Sequence, residues 1–484
     1  MATTGTNRYR GYDIVPMRQW SQWCVGIYPT RADLPILARS TLSTMTQRDT
    51  ICALASAPGR AGVAVIRISG PAAGDALRAL CGPPPPPRQA SLRKIRNPGT
   101  GEVLDRGLAL WLPGPASFTG EDIAELHIHG GRAVVGRVVE ALTSLRGVRL
   151  AEPGEFARRA FENGRIDLTE VEGLADLIAA ETEAQARQAI AQAEGGARAL
   201  YESWREDLVK AQALAEAGLD FADEADVAAD AAVQADAAVA KLVAAMSQHL
   251  SDRRGERLRD GFRVVIAGPP NVGKSSLLNA LAQRDVAIVS EEAGTTRDVI
   301  EVHLDLAGLP VIVTDTAGIR EAEGAVEAEG VRRALARVEN ADLVLWMVDA
   351  TAPRLEDKSA YIPANALHLR ILNKVDLVKS AQIADGVALS AKSGEGVAEL
   401  VGLLTKSAEE GLAGGEPAVI TRARHRAELE AAAEALSRFR EERGGPEIKA
   451  EELRIAARHL GRLTGRIDVE EVLGAIFSEF CIGK

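Results

Sequence analysis

Hydrophobic and polar positions follow different periods along the chain, and the changes of period mark out its parts. Val63-Ala64-Val65-Ile66-Arg67-Ile68 and the stretch from Gly107 to Trp111 read as strands. Five consecutive prolines, Pro83 to Pro87, predict a surface loop between them. The segment from Asp49 to about Leu150 is therefore expected to be an α+β domain. Beyond Pro153 the apolar residues move to helical spacing, beginning with Leu168, Val171, Leu174, Ala175 and Ile178. Ala-, Leu- and Glu-rich segments of this kind run to about Leu258 and predict a helical bundle. From Phe262 to about Ser407 strands and helices alternate, which predicts a doubly wound parallel sheet. After Gly414-Gly415 the helical pattern resumes from Arg422. That last segment, about 70 residues, is expected to join residues 151–258 in one discontinuous bundle, with the α/β module inserted.

The chain has 484 residues, which at roughly 100 to 200 residues per domain suggests about three domains. Lys and Arg number 57 against 68 Asp and Glu, a formal charge of −11, so bulk charge draws in neither nucleic acid nor an anionic membrane. Cys24, Cys52, Cys81 and Cys481 lie far apart and suggest neither a disulfide framework nor a zinc site. Apolar runs such as Leu343 to Val348 fall well short of the ~18 residues that would span a bilayer, and a soluble, cytoplasmic protein without membrane contact is expected. Residues 1–44 concentrate aromatics (Tyr9, Tyr12, Trp20, Trp23, Tyr28) without a period and lack a signal-peptide h-region. They are expected to be a disordered extension or a mis-assigned start, with translation beginning at Met45.

The strongest chemical signal is Gly268-Pro269-Pro270-Asn271-Val272-Gly273-Lys274-Ser275, a complete G-x-x-x-x-G-K-S. It follows the strand Val264-Val265-Ile266-Ala267 and opens a helix at Ser276-Leu277-Leu278, the context a P-loop needs. Backbone amides of the turn would cradle phosphates, Lys274 would neutralise the β and γ groups, and the Ser275 hydroxyl would bind Mg²⁺. Asn373-Lys374-Val375-Asp376 follows another strand, and the Asp376 carboxylate suits guanine because it accepts from both the ring N–H and the exocyclic amine. Ser390-Ala391-Lys392 would offer a backbone amide to the guanine carbonyl. Asp315-Thr316-Ala317-Gly318 would set Asp315 behind the magnesium water shell and the Gly318 amide at the γ-phosphate. Gly294-Thr295-Thr296 supplies Thr296 as a further Mg²⁺ ligand. The order of these elements is that of a Ras-like GTPase, and GTP is the expected substrate.

Hydrolysis needs a residue that orients water, and Ile319 stands where a Ras-type enzyme carries Gln. Glu321, Glu323, Glu327 and Glu329 follow as candidates, with a solvated helix face as the alternative for each.

Taken together, the chain resembles the bacterial tRNA modification GTPases of the TrmE family from Asp49 to Lys484. The resemblance rests on Pro58-Gly59-Arg60 through Arg67-Ile68-Ser69-Gly70, Ser117-Phe118-Thr119-Gly120-Glu121-Asp122, Pro153-Gly154-Glu155-Phe156, the GTPase motifs and the terminal Cys481-Ile482-Gly483-Lys484. It implies a multidomain fold: an α+β tetrahydrofolate-binding and dimerising domain over 45–160, a discontinuous α-helical bundle over 161–258 and 411–484, and an inserted Ras-like α/β P-loop GTPase domain over 259–410. Residues 1–44 have no counterpart.

The resemblance further implies a homodimer that works with the flavoprotein MnmG, in a heterotetramer, to place a carboxymethylaminomethyl or aminomethyl group on the wobble uridine of tRNA. A tetrahydrofolate one-carbon derivative would be the donor. Arg67, Glu125, Arg165 and Lys484 fall at folate-contacting positions, where arginine and lysine suit carboxylates and Glu125 suits pterin amines. Arg165 stands where the family often has Lys, so a point-charge contact is altered. Cys481 would be a reactive thiol, with a buried small hydrophobe as the alternative. Asn271, with Ser290, Glu292 and Thr295, would bind a K⁺ ion that supplies charge as an arginine finger does. Glu291 to Thr296, including Ala293 and Gly294, would be ordered by G-domain pairing, and Glu327 would orient the attacking water.

Two other readings stay open. One is an Era-like regulatory switch in ribosome or RNA metabolism; the other is a folate-binding scaffold whose partner does the chemistry. For tRNA, the segment Thr421–Arg466 holds eleven basic and eight acidic residues and is a modest candidate patch.

Overall fold

The computed structural model describes residues 49–220, 225–288, 301–315, 338–351, 367–378, 386–412, 418–441, 445–467, 473, 474, 476, 477, 480 and 483. Residues 1–44, and the expectations placed on them, lie outside this set. Two compact units divide the chain, residues 1–165 with 474–484 and residues 166–473.

The first unit is built on a six-stranded sheet, β1 (Thr50–Leu54), β2 (Ala64–Ser69), β3 (Ser91–Arg96), β4 (Val103–Leu112), β5 (Ile123–Ile128) and β6 (Val148–Leu150), in the order β3-β4-β5-β2-β1-β6. Alternation along β2 sends Ala64, Ile66 and Ile68 into the core and leaves Val65 and Arg67 on the other face. Helices α1 (Ala73–Cys81) and α2 (Arg132–Thr143) cover the core face, with Leu77, Leu80, Val138 and Leu142 against Ile66, Ile95 and Leu126. Helix α3 (Glu155–Glu162) packs Phe156 against Ile51 and Ala53.

Within the segment 411–484 expected in the bundle, the residues from Gly474 onward group with this first unit. The cause is packing at close range. A Cβ on Gly154 would stand 2.6 Å from the Phe477 carbonyl oxygen, and one on Gly483 would stand 2.1 Å from that of Leu54. Arg158 also lies 5.2 Å over the Phe477 ring.

In the second unit, the helices are α4 (Leu168–Ala179), α5 (Glu183–Ala193), α6 (Gly196–Asp220), α7 (Ala225–Leu250) and α8 (Arg254–Asp260), with α11 (Ala423–Glu441) and α12 (Pro446–Leu463) from the end of the chain. Asp167 with Glu170 and Thr182 with Gln185 form capping boxes that start α4 and α5. The bundle core holds Tyr201, Trp204, Leu208, Val239, Leu242, Leu436, Leu453 and Leu460, so the two stretches of sequence do share one core. One expected core position fails: Ile178 is 41% exposed, while the carboxylate of Glu172 is buried.

Between these stretches runs a second six-stranded sheet, β7 (Phe262–Ala267), β8 (Glu301–Leu306), β9 (Leu309–Asp315), β10 (Leu343–Asp349), β11 (Leu367–Asn373) and β12 (Val387–Ala388), ordered β12-β11-β10-β7-β9-β8. Every pairing is parallel except that of β8 with β9. Helices α9 (Lys274–Ala282) and α10 (Val397–Leu412) bury Leu277, Leu281, Leu400 and Leu404 against it.

Candidate functional site

The carboxyl ends of β7, β9, β10 and β11 lie side by side, which is where open α/β sheets bind ligands. From β7 the chain turns at Gly268, at φ 145°, where a Cβ would stand 2.5 Å from the Met347 carbonyl oxygen. The turn ends at Gly273, at φ 100°, where a Cβ would stand 2.4 Å from Asn373 Nδ2. Only glycine fits either place. Asn271 also lies in the left-handed region, at φ 60°. Val272 is buried in the core, and α9 then begins at Lys274, with Ser275 and Ser276 in its first turn and its amides facing the crevice.

Side chains join the separate motifs into one site. Lys274 Nζ donates to the carbonyls of Gly268 and Pro269, each at 3.0 Å. Ser275 Oγ donates to Asp315 Oδ2 at 2.6 Å, and Asp315 is held at the end of β9 opposite Ile266. This hydroxyl and carboxylate are the oxygen donors that Mg²⁺ prefers, so the residues present fit that ion and its water shell. Asn373 Nδ2 donates to the Val272 carbonyl at 2.8 Å, and Asn373 Oδ1 accepts from the Ala391 amide at 2.9 Å. The buried Ser390 accepts at Oγ from Ser393 and shapes the loop in which Ala391 and Lys392 follow. Asp376 is exposed in a short 3-10 turn, Val375–Leu377.

Lys374 sits at φ 69° and reaches Asn271 O at 2.8 Å and Asp349 Oδ2 at 2.5 Å. Asp349 is a member of the site that motif reading missed. Burial pushes its carboxyl up, but Lys374 and the Thr351 donors outweigh that and hold it below the usual range. Its position at the carboxyl end of a strand next to β7 is the signal that could have found it.

Of the expected site residues, Ser290, Glu291, Glu292, Ala293, Gly294, Thr295, Thr296, Thr316, Ala317, Gly318, Glu327, Cys481 and Lys484 lie outside the described residues. Asn271 is the one expected K⁺ ligand among the described residues.

In the first unit, β2 and β5 set Arg67 directly across from Glu125, and Arg67 Nε donates to Glu125 Oε1 at 2.9 Å. The guanidinium lies 5.8 Å from the ring centres of both Phe118 and Phe156. Arg165 is exposed in the turn after α3, and its Cγ would lie 3.3 Å from a Cβ on Gly120. The loop bearing Phe118 is fixed from below. Ser69 Oγ bonds Thr119 Oγ1 at 2.7 Å and Glu121 at 2.8 Å, and the buried Arg159 bridges Glu121 to Glu155.

The basic residues of Thr421–Arg466 are largely spoken for. Arg422 pairs with Asp176, Arg424 with Glu172, Arg426 with Glu256, Arg440 with Asp236 and Arg466 with Glu202. The local surplus of positive charge is thus met by acids from elsewhere in the unit, which weakens this segment as a nucleic-acid patch. Among the described residues no helix is long and apolar enough to cross a membrane.

Comparison with known proteins shows the family of the chain. A model of the MnmE helical domain matches residues 168–481, and a model of the GTP-binding protein TrmE N-terminus matches residues 50–165. The tRNA modification GTPase MnmE of Parvibaculum lavamentivorans is 55% identical over 443 residues, covering 90% of this chain and all of the relative. That of Paramagnetospirillum magneticum is 54% identical over 444 residues, with 90% and 100% covered, and that of Maricaulis maris 52% over 439 residues, with 90% and 99% covered. A P-loop joined to the guanine motifs, lying within the span of the MnmE helical-domain match and following the TrmE N-terminal match, together with relatives more than half identical over nine-tenths of the chain, identifies the chain as a member of the MnmE/TrmE family of tRNA modification GTPases.

Proposed function

We propose that this chain hydrolyses GTP in the presence of Mg²⁺ and K⁺ and, as a homodimer joined by the flavoprotein MnmG in a heterotetramer, takes part in building the carboxymethylaminomethyl or aminomethyl group on the wobble uridine of tRNA. The observation that supports it is the joining of P-loop, Asp315, Asn373 and Ala391 by direct hydrogen bonds at one sheet edge.

In this reading the turn from Asn271 to Ser276 wraps the phosphates, and Lys274 neutralises their β and γ charges. Ser275 and Thr296 hold Mg²⁺, with Asp315 behind them. Asn271, Ser290, Glu292 and Thr295 hold K⁺, which supplies positive charge beside the γ-phosphate. Glu327 orients water, Gly318 donates to the γ-phosphate, Asp376 reads the guanine N–H groups and the Ala391 loop its carbonyl. The first unit takes the folate one-carbon derivative. Arg67, Glu125, Arg165 and Lys484 bind and orient it, and Cys481 is a reactive thiol. Glu125 is then shared between Arg67 and the pterin amines.

The test compares tRNA nucleosides by mass spectrometry in cells with and without the gene. Loss of the modified wobble uridine is expected. An unchanged profile would overturn the reading in favour of a regulatory switch of Era type.

A further inference from the structure

The hairpin β8–β9 is fastened to the helical part of its own unit by residues that the nucleotide reading does not use. Gly308, in the turn, accepts at its carbonyl from the amide of Ala184 in the first turn of α5, at 3.0 Å. In the middle of β8, His303 Nδ1 meets Glu181 Oε2 at 2.8 Å. A carboxylate can only accept, so Nδ1 carries the proton of this bond.

His303 is also where the chain on both sides of residues 289–300 is gathered. Its carbonyl accepts from the Ile288 amide at 2.8 Å, Asp305 donates to Val286 O at 2.8 Å, and Ala287 bridges to Leu304. The strand that begins at Glu301 therefore holds the residues just before 289. By sequence, the residues in between include Ser290, Glu292, Thr295 and Thr296. The same short segment of the bundle also mounts α8. Gln185 Nε2 donates to Arg259 O and Gln188 Nε2 to Gly255 O, each at 3.0 Å, and α8 leads through Gly261 into β7 and the P-loop.

The side chains of His303 and Glu181 are 38% and 33% exposed. A pair this open contributes only about 0 to 1 kcal/mol to stability, so the fold does not depend on it. What it does fix is the place of β8 relative to the bundle.

We infer that Glu181 and His303 are positioning residues for GTP hydrolysis, through which the helical bundle sets β8, the strand that follows residues 289–300 in sequence. The inference rests on the proposed function. Coupling through one two-point contact of this kind changes rates by about five-fold.

The experiment uses the full-length protein with Mg²⁺ and K⁺, measuring GTP hydrolysis and, separately, titrating a fluorescent GDP analogue. Glu181→Ala and His303→Ala should each lower kcat about five-fold while Kd for GDP changes less than about two-fold. The double variant should be no slower than either single one, and Glu181→Gln, which retains an oxygen to accept from His303, should recover most of the rate. Unchanged kcat, additive losses, or a loss that only follows a raised Kd would overturn the inference. If the unaltered protein hydrolyses GTP and the variants match it, this inference alone falls. If the unaltered protein hydrolyses none, the proposed function falls as well.

Discussion

Asn373, at the end of β11, holds the carbonyl of Val272 in the Gly268–Gly273 turn at 2.8 Å, so the turn after β7 and the loop after β11 are joined through one side-chain amide. The same side chain takes the Ala391 amide at 2.9 Å and is 2% exposed. Asn373→Ala would leave a buried carbonyl and a buried amide unpaired, at about 1 to 3 kcal/mol each. Affinity for GTP and GDP should fall together, by at least about ten-fold. Titration of fluorescent analogues of both nucleotides checks this, and a loss confined to GTP would contradict the shared role.

Asp376 is exposed in the turn that Lys374 starts at φ 69°, so its carboxylate is open to a base. Asp376→Asn replaces one acceptor with an amide donor. Xanthine carries a carbonyl where guanine carries its amine, so the variant should prefer xanthosine triphosphate to GTP by at least about 100-fold. Competition between the two nucleotides measures the ratio. A variant that still prefers GTP would remove Asp376 from guanine recognition.

How much of this was legible in the sequence depended on the distance over which each contact is made. The P-loop, Asn373-Lys374-Val375-Asp376 and Ser390-Ala391-Lys392 are local motifs whose backbone geometry follows from a strand end and a glycine or an αL residue. The charges at and just before the start of α11 mislead for the opposite reason. Arg422, Arg424 and Arg426 find Asp176, Glu172 and Glu256 some 170 to 250 residues away in sequence, as the hydrogen bonds with separations of 246, 252 and 170 show. Ile178 is exposed and Glu172 buried because α4 turns an ion pair toward α11 rather than its full apolar stripe. The last residues were read as bundle because their apolar spacing is helical. Spacing does not say which core receives Phe477 and Phe480.

Arg67 lies between Phe118 and Phe156 with Glu125 across the strand. If this is the folate cradle, Arg67→Ala removes both a charge-assisted donor and the partner that fixes Glu125. Binding of 5-formyltetrahydrofolate, measured by calorimetry, should weaken by about ten-fold or more, and Arg67→Lys should restore only part of it. Unaltered binding in Arg67→Ala would move the folate site elsewhere.

The bundle should be acid-sensitive through one carboxylate. Glu172 is 1% exposed and receives Arg424 Nη2 at 2.8 Å and His425 Nε2 at 2.7 Å, with His425 itself fully buried. Burial alone would push the Glu172 carboxyl up. The charges and hydrogen bonds of His425 and Arg424 outweigh it and hold the carboxyl well below the usual carboxylate range. A folded-state value below the unfolded one means the unfolded chain binds the proton first. The stability it brings is therefore complete above about pH 5 and is lost as pH falls toward the folded value. Glu172→Gln would strip the charge and leave the half-buried Arg424 against a neutral amide, costing about 1 to 3 kcal/mol at pH 7. Urea denaturation at pH 7 and at steps from pH 5 to 3 should show that cost together with a flatter acid limb than the unaltered protein. A variant with the original steep limb would assign the acid sensitivity to another pair, such as Glu155 with Arg149, which lies in the other unit.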